Sequence, residues 1–258
     1  MRSSNARLTL MRSLSKRLTK NVLARMGYEL RKTPQPEAIP VQEFGIDPMK
    51  DMLRLTHLSG LSSRTVVFDI GANVGDTVRE FSFVFGNPLI HAFEPSPKTF
   101  ETLKANTSYI PAITLNNVGL GSSRSELFFH ESEKAEMNSF LAPAKDCWIK
   151  PQFVQKLPVR TVDDYCLEHS IRRIDVLKSD TQGYDLEVLR GAESMLTSGR
   201  VRLVYLEIIF SEMYSGLPSL DEIYRYLCDR GFGLVTFYKF YYQHNRAGWT
   251  DALFACDK

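Results

Sequence analysis

Short apolar runs alternate with amphipathic segments through most of the chain. The runs at residues 66–68, 89–93, 113–118, 174–180, 203–210, 234–238 and 252–256 have the length and composition of strands, and most of the segments between them carry apolar residues at helical spacing. The first run is apolar at every position, as expected for a strand that is covered on both faces. The pattern therefore predicts an α/β fold built on a mostly parallel sheet with helices on both faces.

A glycine turn follows the first of these strands. Residues 65–77 read TVVFDIGANVGDT, in which the strand stops at Asp69 and a helix begins after Gly71, Asn73 and Gly75. Glycines permit a sharp turn, and the first turn of a helix presents free N–H groups that suit a carboxylate or a phosphate. A dinucleotide site favours Gly-x-Gly-x-x-Gly, but no glycine stands three residues after Gly75. The motif indicates S-adenosylmethionine, whose ammonium Asp69 would face; the alternative is a plain strand-to-helix turn.

An acid ends the second predicted strand. Residues 89–106 read LIHAFEPSPKTFETLKAN, a strand that stops at Glu94, followed by two prolines and another helix. Glu94 lies 23 residues after Gly71. An acid about 20 residues beyond the first glycine commonly accepts hydrogen bonds from the ribose of a bound nucleotide. We interpret Glu94 as a ribose ligand; the alternative is a solvated acid in a turn.

Three motifs together resemble one known family. FDIGANVGDT, HAFEPSPKTFETLKAN and VLKSDTQGYDLEVLRGA follow the order found in the FkbM family of S-adenosylmethionine-dependent methyltransferases, and the resemblance runs from about residue 64 to about residue 255. It implies a Rossmann-like class I methyltransferase fold, with a mostly parallel seven-stranded sheet and an antiparallel terminal strand. It also implies S-adenosylmethionine as the cofactor, and a loop beside the adenine that follows the third strand. The predicted cofactor-binding residues are Asp69, Gly71, Asn73, Gly75, Thr77, Glu94, Asn117 and Val118.

Further acids are predicted near the same edge of the sheet. Asp180 ends the strand at residues 174–180, and ligand sites of open α/β sheets gather at the carboxyl ends of strands, so Asp69, Glu94 and Asp180 are expected to share one rim. Lys178 and Glu207 stand inside predicted strands, where a charge needs a partner, and we expect them to pair. The predicted catalytic residues are Asp180 as first candidate for the general base, Glu207 as second, and Lys178 as the residue that sets its charge. Asp180 could instead hold the ammonium of the cofactor.

Two irregular segments are candidates for the acceptor side. Residues 134–151 are polar and loose in pattern, which is typical of a lid or a binding loop. Residues 238–249 are rich in aromatic residues and lie between the last two predicted strands. Those rings would serve either as core packing or as a platform for a sugar.

Cysteine and histidine spacing indicates neither disulfides nor a metal site. The four cysteines (Cys147, Cys166, Cys228 and Cys256) form no C-x-x-C pair, and the five histidines show no H-x-x-x-H spacing. This usage is typical of a cytoplasmic protein with reduced thiols. The sequence has no apolar run of 18 residues and no secretory signal pattern.

The charge is divided unevenly along the 258-residue chain. Residues 1–32 contain nine Lys or Arg and one acid, whereas the remainder contains 23 bases and 29 acids. The acidic remainder makes nucleic acid an unfavourable partner. Apolar residues recur at helical spacing within residues 1–26, so residues 1–32 are predicted to form a basic amphipathic helix. Such a helix either contacts an anionic membrane surface or packs on itself, and it also resembles a transit peptide.

The predicted organisation is a basic helix at residues 1–32, a proline-rich linker at residues 33–48 and a methyltransferase domain at residues 49–258. The predicted function is O-methylation of a hydroxyl on a sugar, a glycolipid precursor or a related natural product. A cytoplasmic location follows, with peripheral contact at the inner face of a membrane as an alternative. The competing hypotheses are a dinucleotide-dependent oxidoreductase and a catalytically inactive, membrane-docked module that binds the cofactor. The sequence gives no indication of oligomeric state.

Overall fold

The apolar runs form the strands of one large sheet. The computed structural model describes residues 43–57, 64–145 and 147–256, so the predicted N-terminal helix and most of the predicted linker lie outside the described residues. The described strands are β1 (Val66–Ile70), β2 (Leu89–Phe93), β3 (Ile113–Asn116), β4 (Gly119–Leu120), β5 (Ser125–Ser132), β6 (Pro151–Arg160), β7 (Ile174–Ser179), β8 (Val201–Ile209), β9 (Phe232–Phe237), β10 (Tyr241–Gln243) and β11 (Arg246–Cys256).

The strand order confirms the predicted fold class. The large sheet has the order β10-β11-β8-β7-β1-β2-β3, and β9 pairs with β11 as well. The five neighbouring strands β3, β2, β1, β7 and β8 run parallel, whereas β11 is antiparallel to both β8 and β9. Eight described strands make up this sheet rather than the expected seven, because the short strand β10 forms within the aromatic segment at residues 238–249.

Helices cover both faces of the sheet. They are α1 (Pro48–His57), α2 (Asp76–Val84), α3 (Pro97–Thr107), α4 (Val162–Glu168), α5 (Asp185–Arg190), α6 (Glu193–Thr197) and α7 (Leu220–Cys228). One buried cluster joins α1, α2 and α3 to the sheet through residues such as Met52, Phe81 and Leu103. A second buried cluster joins the helices α4, α5, α6 and α7 to the sheet through residues that include Val188 and Leu227. Among the described residues, no helix has the length and apolar character needed to cross a membrane.

Strand β1 lies at the centre of the sheet, and its side chains alternate between the two cores. Phe68 and Ile70 belong to the cluster under α4 to α7, and Val67 belongs to the cluster under α1 to α3. Asp69 is fully buried and is the register partner of Lys178 on β7.

A second, smaller sheet stands beside the carboxyl ends of the central strands. Strand β6 has ten residues, and it pairs with β5 along its length and with β4 at its end. Most of β6 before Leu157 is exposed, and it contains two prolines, so its sequence lacks a clear buried face. The segment that leads from β5 to β6 contains a short 3₁₀-helix, Ala135–Met137.

Candidate active site

A cavity of about 260 Å³ opens where β1, β2, β7 and β8 end. Six of the predicted site residues line it, namely Gly71, Asn73, Glu94, Val118, Asp180 and Glu207. The other five predicted site residues, Asp69, Gly75, Thr77, Asn117 and Lys178, do not line it. Two of the three acids that were expected to share a rim therefore meet at one cavity, and the third, Asp69, is fully buried and does not line it.

Glu94 is held at the cavity by the backbone. Its Oε2 accepts a hydrogen bond from the N–H of Asn73 at 3.0 Å, and its Oε1 accepts one from the N–H of Ser96 at 2.9 Å. Burial raises the pKa of this carboxyl to about 7, although the two N–H groups act in the opposite direction. Each oxygen keeps a second lone pair, so the carboxylate has room for two hydroxyl donors such as those of a ribose.

Two further oxygen atoms at the cavity lack partners among the described residues. They are Oδ1 of Asn73 and the hydroxyl of Thr181, and both are buried. Buried polar atoms are normally hydrogen-bonded, so an unpaired atom on a cavity wall indicates a position for a ligand. Together with Glu94 they offer acceptors for the ribose hydroxyls and the ammonium of S-adenosylmethionine. The residues present therefore fit this cofactor.

The two glycines of the first motif are required by packing within the protein. Gly71 has φ +75°, and a Cβ there would lie 1.9 Å from the carbonyl oxygen of Asp180. Gly75 has φ +93°, and a Cβ there would lie 2.8 Å from the side chain of Thr107 on α3. The turn after β1 is thus pressed against the loop after β7, which brings Asp180 to the cavity wall. Thr77 lies in the first turn of α2.

The prediction that Lys178 pairs with Glu207 is wrong. The Nζ of Lys178 lies 2.9 Å from Oδ1 of Asp69 and donates to the carbonyl oxygen of Gly71 at 3.0 Å. It also lies 3.8 Å from Oδ2 of Asp180. Burial alone would lower the pKa of Lys178, but the carboxylates of Asp69 and Asp180 more than offset this and raise it. Asp69 is accordingly a buried counter-ion beneath the site, and it does not face a cofactor ammonium as we expected.

Asp180 and Glu207 are linked through one amide. The Nε2 of Gln182 donates to Oδ1 of Asp180 at 3.1 Å and to Oε2 of Glu207 at 2.9 Å. The side chain of Asp180 is 44% exposed, whereas Glu207 is held deeper in the cavity wall. Burial, followed by the repulsion of Asp180, raises the pKa of Glu207 well above its ordinary value. The two acids therefore differ in environment, as is common in pairs that act in proton transfer.

Asn117 is turned away from its predicted role beside the adenine. Its Nδ2 donates to the carbonyl oxygens of Glu94 at 2.8 Å and Pro95 at 3.0 Å, and so fixes the loop that carries Glu94. Val118 lines the cavity as predicted. Next to it, Gly119 leaves space for the ring of Phe140, which a Cβ would meet at 2.5 Å.

Several lining residues were missed by sequence reasoning. Phe129, Met137 and Phe140 come from β5 and the segment after it, and Ile209, Met213 and Trp249 come from β8, the loop after it and β11. Two signals could have found some of them, because Met137 and Phe140 lie in the loose segment at residues 134–151 and Trp249 ends the aromatic segment. The 3₁₀-helix Ala135–Met137 lines the cavity, so part of the segment predicted as a candidate for the acceptor side lies at the site.

The lining is acidic. Among the described residues it includes four carboxyl groups, those of Glu94, Glu136, Asp180 and Glu207, and it includes no Lys, Arg or His. Such a wall does not favour the pyrophosphate of a dinucleotide and does favour a ligand with a sulfonium and an ammonium. In the part of the chain that the structure describes, no three His, Cys, Asp or Glu side chains are grouped to hold a metal ion.

The sheet order, the position of the cavity and its row of hydrogen-bond acceptors define a class I methyltransferase. The particular family follows from a family model of the methyltransferase FkbM domain, which matches residues 69–234. This chain belongs to the FkbM methyltransferase family, and it is an S-adenosylmethionine-dependent methyltransferase.

Characterised relatives are distant. The 2-O-methyltransferase NoeI of Sinorhizobium fredii is 25% identical over 169 residues, which cover 61% of this chain and 69% of that protein. The hexuronic acid methyltransferase AglP of Haloferax volcanii is 27% identical over 175 residues, which cover 67% of this chain and 65% of that protein. A crystal structure of magnesium protoporphyrin IX methyltransferase (ChlM) from Synechocystis PCC 6803 with bound SAM matches at 12% identity and a TM-score of 0.45, covering 81% of this chain and 78% of that one.

Proposed function

We propose that this enzyme transfers a methyl group to a hydroxyl of a sugar or of a glycolipid precursor, at a position with no acidic group beside it. The observation that carries the proposal is the acid pair of Asp180 and Glu207, joined by Gln182 on the wall of the cavity. A sugar hydroxyl is a weak nucleophile, so its methylation needs a base within hydrogen-bond reach. The name of the relative AglP, a hexuronic acid methyltransferase, supports a sugar as the acceptor, and the name of NoeI, a 2-O-methyltransferase, supports transfer to an oxygen.

In this proposal the chain positions the reactants and removes one proton. S-adenosylmethionine, when bound, supplies an activated methyl group. Glu94, Asn73 and Thr181 would hold it by accepting hydrogen bonds. Asp180, the more open of the two acids, accepts the proton of the acceptor hydroxyl, and the ammonium of Lys178 at 3.8 Å supplies a counter-charge for the carboxylate. Glu207, whose pKa burial raises, orients the acceptor by hydrogen bonding.

The acidic wall limits the chemistry of the acceptor. A carboxylate or phosphate beside the reacting hydroxyl would lie near the carboxyl groups of Asp180 and Glu136. No Lys, Arg or His among the described residues lines the cavity to offset its charge. Like charges close together are unfavourable, particularly where water is partly excluded. We therefore expect neutral or amino sugars to be accepted in preference to sugars that carry an acid next to the target hydroxyl.

The proposal is tested with S-adenosylmethionine carrying a deuterated methyl group and two matched pools of glycosides, one neutral and one of uronic acids. Mass spectrometry should find the label on an oxygen of a neutral sugar. No labelled sugar in either pool, or label mainly on the uronic acids, would overturn the proposal.

In Asp180→Asn, turnover should fall by roughly 10² to 10⁴-fold while binding of S-adenosylhomocysteine persists. Asp229→Asn, an exposed control, should change neither, and full activity in Asp180→Asn would remove Asp180 from the role of base.

A further inference from the structure

Gln182 lies between the two acids of the cavity wall. It is 9% exposed, and its backbone adopts the left-handed conformation with φ +54°. This conformation is uncommon for a residue with a side chain and is retained where the surroundings impose it. The result is that a single amide group stands between Asp180 and Glu207 and donates one hydrogen to each.

The other end of that amide is fixed by Tyr214. The hydroxyl of Tyr214 lies 3.0 Å from Oε1 of Gln182 and 3.0 Å from the carbonyl oxygen of Met137. Tyr214 is 3% exposed, and burial followed by the charge of Glu207 raises the pKa of its hydroxyl, so this hydroxyl remains a donor. A phenol has one proton and can donate fully to only one of these two acceptors at a time.

We propose that Gln182 is a positioning residue for the acid pair, and that Tyr214 couples the orientation of the Gln182 amide to the position of the 3₁₀-helix Ala135–Met137 on the cavity wall. The proposal rests on the proposed function, because it assigns the acid pair to deprotonation of an acceptor hydroxyl. When the Tyr214 hydroxyl donates to Oε1 of Gln182, Nε2 must face both acids. When it donates to Met137 instead, the amide loses the contact that fixes its direction.

The reversed amide is a poor alternative because it would place Oε1 against the carboxylate of Asp180. The hydrogen bond from Tyr214 reinforces this orientation, because it engages Oε1 and leaves Nε2 for the two acids. The segment after this 3₁₀-helix also contacts the loop that carries Gln182, since the hydroxyl of Ser139 donates to the carbonyl oxygen of Gln182 at 2.9 Å. A shift of Met137 would therefore change the hydrogen bond between Tyr214 and Gln182, and with it the position of the amide that faces the acid pair. Tyr214 lies in the loop after β8.

The charged groups around Glu207 give the proposal a measurable consequence. Asp180 and Asp185 face it from the β7 end and α5, and Asp251 faces it from β11, and all three raise its pKa. Lys178 on β7 acts in the opposite direction, and Tyr214 faces it from the loop after β8. Gln182 adds a neutral donor that favours the ionised form of Glu207, so loss of this donor should move the titration of Glu207 to higher pH.

The test uses three variants of the full chain. Gln182→Met removes both donors at similar length, and Tyr214→Phe removes one oxygen atom while the ring keeps its packing. Tyr226→Phe is the matched control, since its hydroxyl is also hydrogen-bonded, to Glu193 and Leu189, but lies on α7 away from the cavity. Tyr214→Phe carries the test if Gln182→Met fails to fold.

With the neutral glycoside that the wild type methylates, we expect kcat to fall at least tenfold in both test variants. The KM for the glycoside and the affinity for S-adenosylhomocysteine should stay within threefold, and the midpoint of the kcat pH profile should move. The control should match the wild type. Unchanged kcat and pH profile in both test variants would overturn the proposal, as would a loss of S-adenosylhomocysteine binding in proportion to turnover.

A second readout needs no acceptor. Carbon-13 labelling of glutamate carboxyl groups allows Glu207 to be titrated by NMR, with its signal assigned as the one that Glu207→Gln lacks. In Gln182→Met or Tyr214→Phe the midpoint should lie above that of the wild type. If no sugar is methylated by the wild type and the midpoint moves, the proposed function fails and the positioning role stands. If the midpoint is the same in both variants and the wild type, the positioning role fails.

Discussion

At the scale of single residues, one buried ion pair supports the site from below. Asp69 is fully buried, Lys178 is 3% exposed, and the two atoms that pair are 2.9 Å apart. Removal of one partner from a buried pair leaves an uncompensated charge, which is far more costly than removal of an exposed pair. Lys178 also holds the carbonyl oxygen of Gly71, so this pair joins the two loops that carry the cavity wall.

Lys178→Met should therefore lower the free energy of unfolding by about 3–5 kcal/mol. Lys104→Met is the control, because Lys104 pairs with Glu101 on the surface, where both side chains are more than 60% exposed, and its loss should cost less than about 1 kcal/mol. Denaturant titration of the two variants measures the difference. Equal stabilities would contradict the role given to the buried pair.

The pKa of Glu94 predicts a pH dependence of cofactor affinity. Burial raises this pKa from 4.5 to about 7, so below pH 7 the ligand-free protein must release a proton before the carboxylate can accept from the ribose. Because the folded-state pKa is the higher one, protonation stabilises the ligand-free fold, and this stabilisation is lost as pH rises toward about 7. The dissociation constant of S-adenosylhomocysteine should rise by up to about tenfold per pH unit below 7. Isothermal calorimetry at several pH values measures it, and a profile as steep in Glu94→Gln as in the wild type would contradict this assignment.

At the scale of the elements, the sequence identified the strands and the turn after β1 because local patterns determine them. Alternation and apolar runs give β1, β2, β7 and β8, and the rule that parallel strands end at one edge brings Glu94 and Asp180 together. The partner of Lys178 was not predictable in the same way. Lys178 has Asp69 as register partner on β1 and Tyr205 on β8, and Glu207 stands two residues further along β8. The choice between the two neighbouring strands depends on register, which the sequence alone does not specify.

The contacts of Gln182 were beyond sequence reasoning for a related reason. Tyr214 lies 32 positions away in an irregular loop, and Glu207 lies 25 positions away on β8. Neither spacing has a local signature. Most of β6 was missed because it is largely exposed before Leu157 and lacks the alternation that marks a half-buried strand.

The contact between the β1 turn and the β7 loop gives a prediction at this scale. Gly71→Ala should destabilise the protein by about 2–5 kcal/mol, since the left-handed backbone costs roughly 1–2 kcal/mol and the added carbon overlaps the carbonyl oxygen of Asp180. Gly86→Ala is the matched control, with φ +59° and nothing within 4 Å of the added carbon, and should show only the backbone cost of about 1–2 kcal/mol. Thermal and denaturant unfolding compare them. A Gly71→Ala variant no less stable than Gly86→Ala would show that the two loops are not pressed together.

At the scale of the whole molecule, the sequence divides into a basic start and an acidic catalytic unit. The described residues from 43 to 256 belong to one compact unit. Residues 1–32 carry nine bases and one acid. The membrane role of residues 1–32 stays a prediction.

Vesicle flotation tests that prediction. The full chain should float with vesicles that contain anionic lipid and should remain below with neutral vesicles, because the attraction is electrostatic. A version that lacks residues 1–32 should stay below in both cases. Equal flotation of the two proteins would discard a membrane role for residues 1–32.

The central claim is that this one cavity binds the sulfonium nucleoside through Glu94. Isothermal calorimetry of S-adenosylhomocysteine at pH 8 tests it on the wild type, on Glu94→Ala and on Glu101→Ala, whose side chain is exposed on α3. We expect the wild type and Glu101→Ala to bind alike and Glu94→Ala to bind at least tenfold more weakly. Undiminished binding by Glu94→Ala, or no binding by the wild type, would contradict the account.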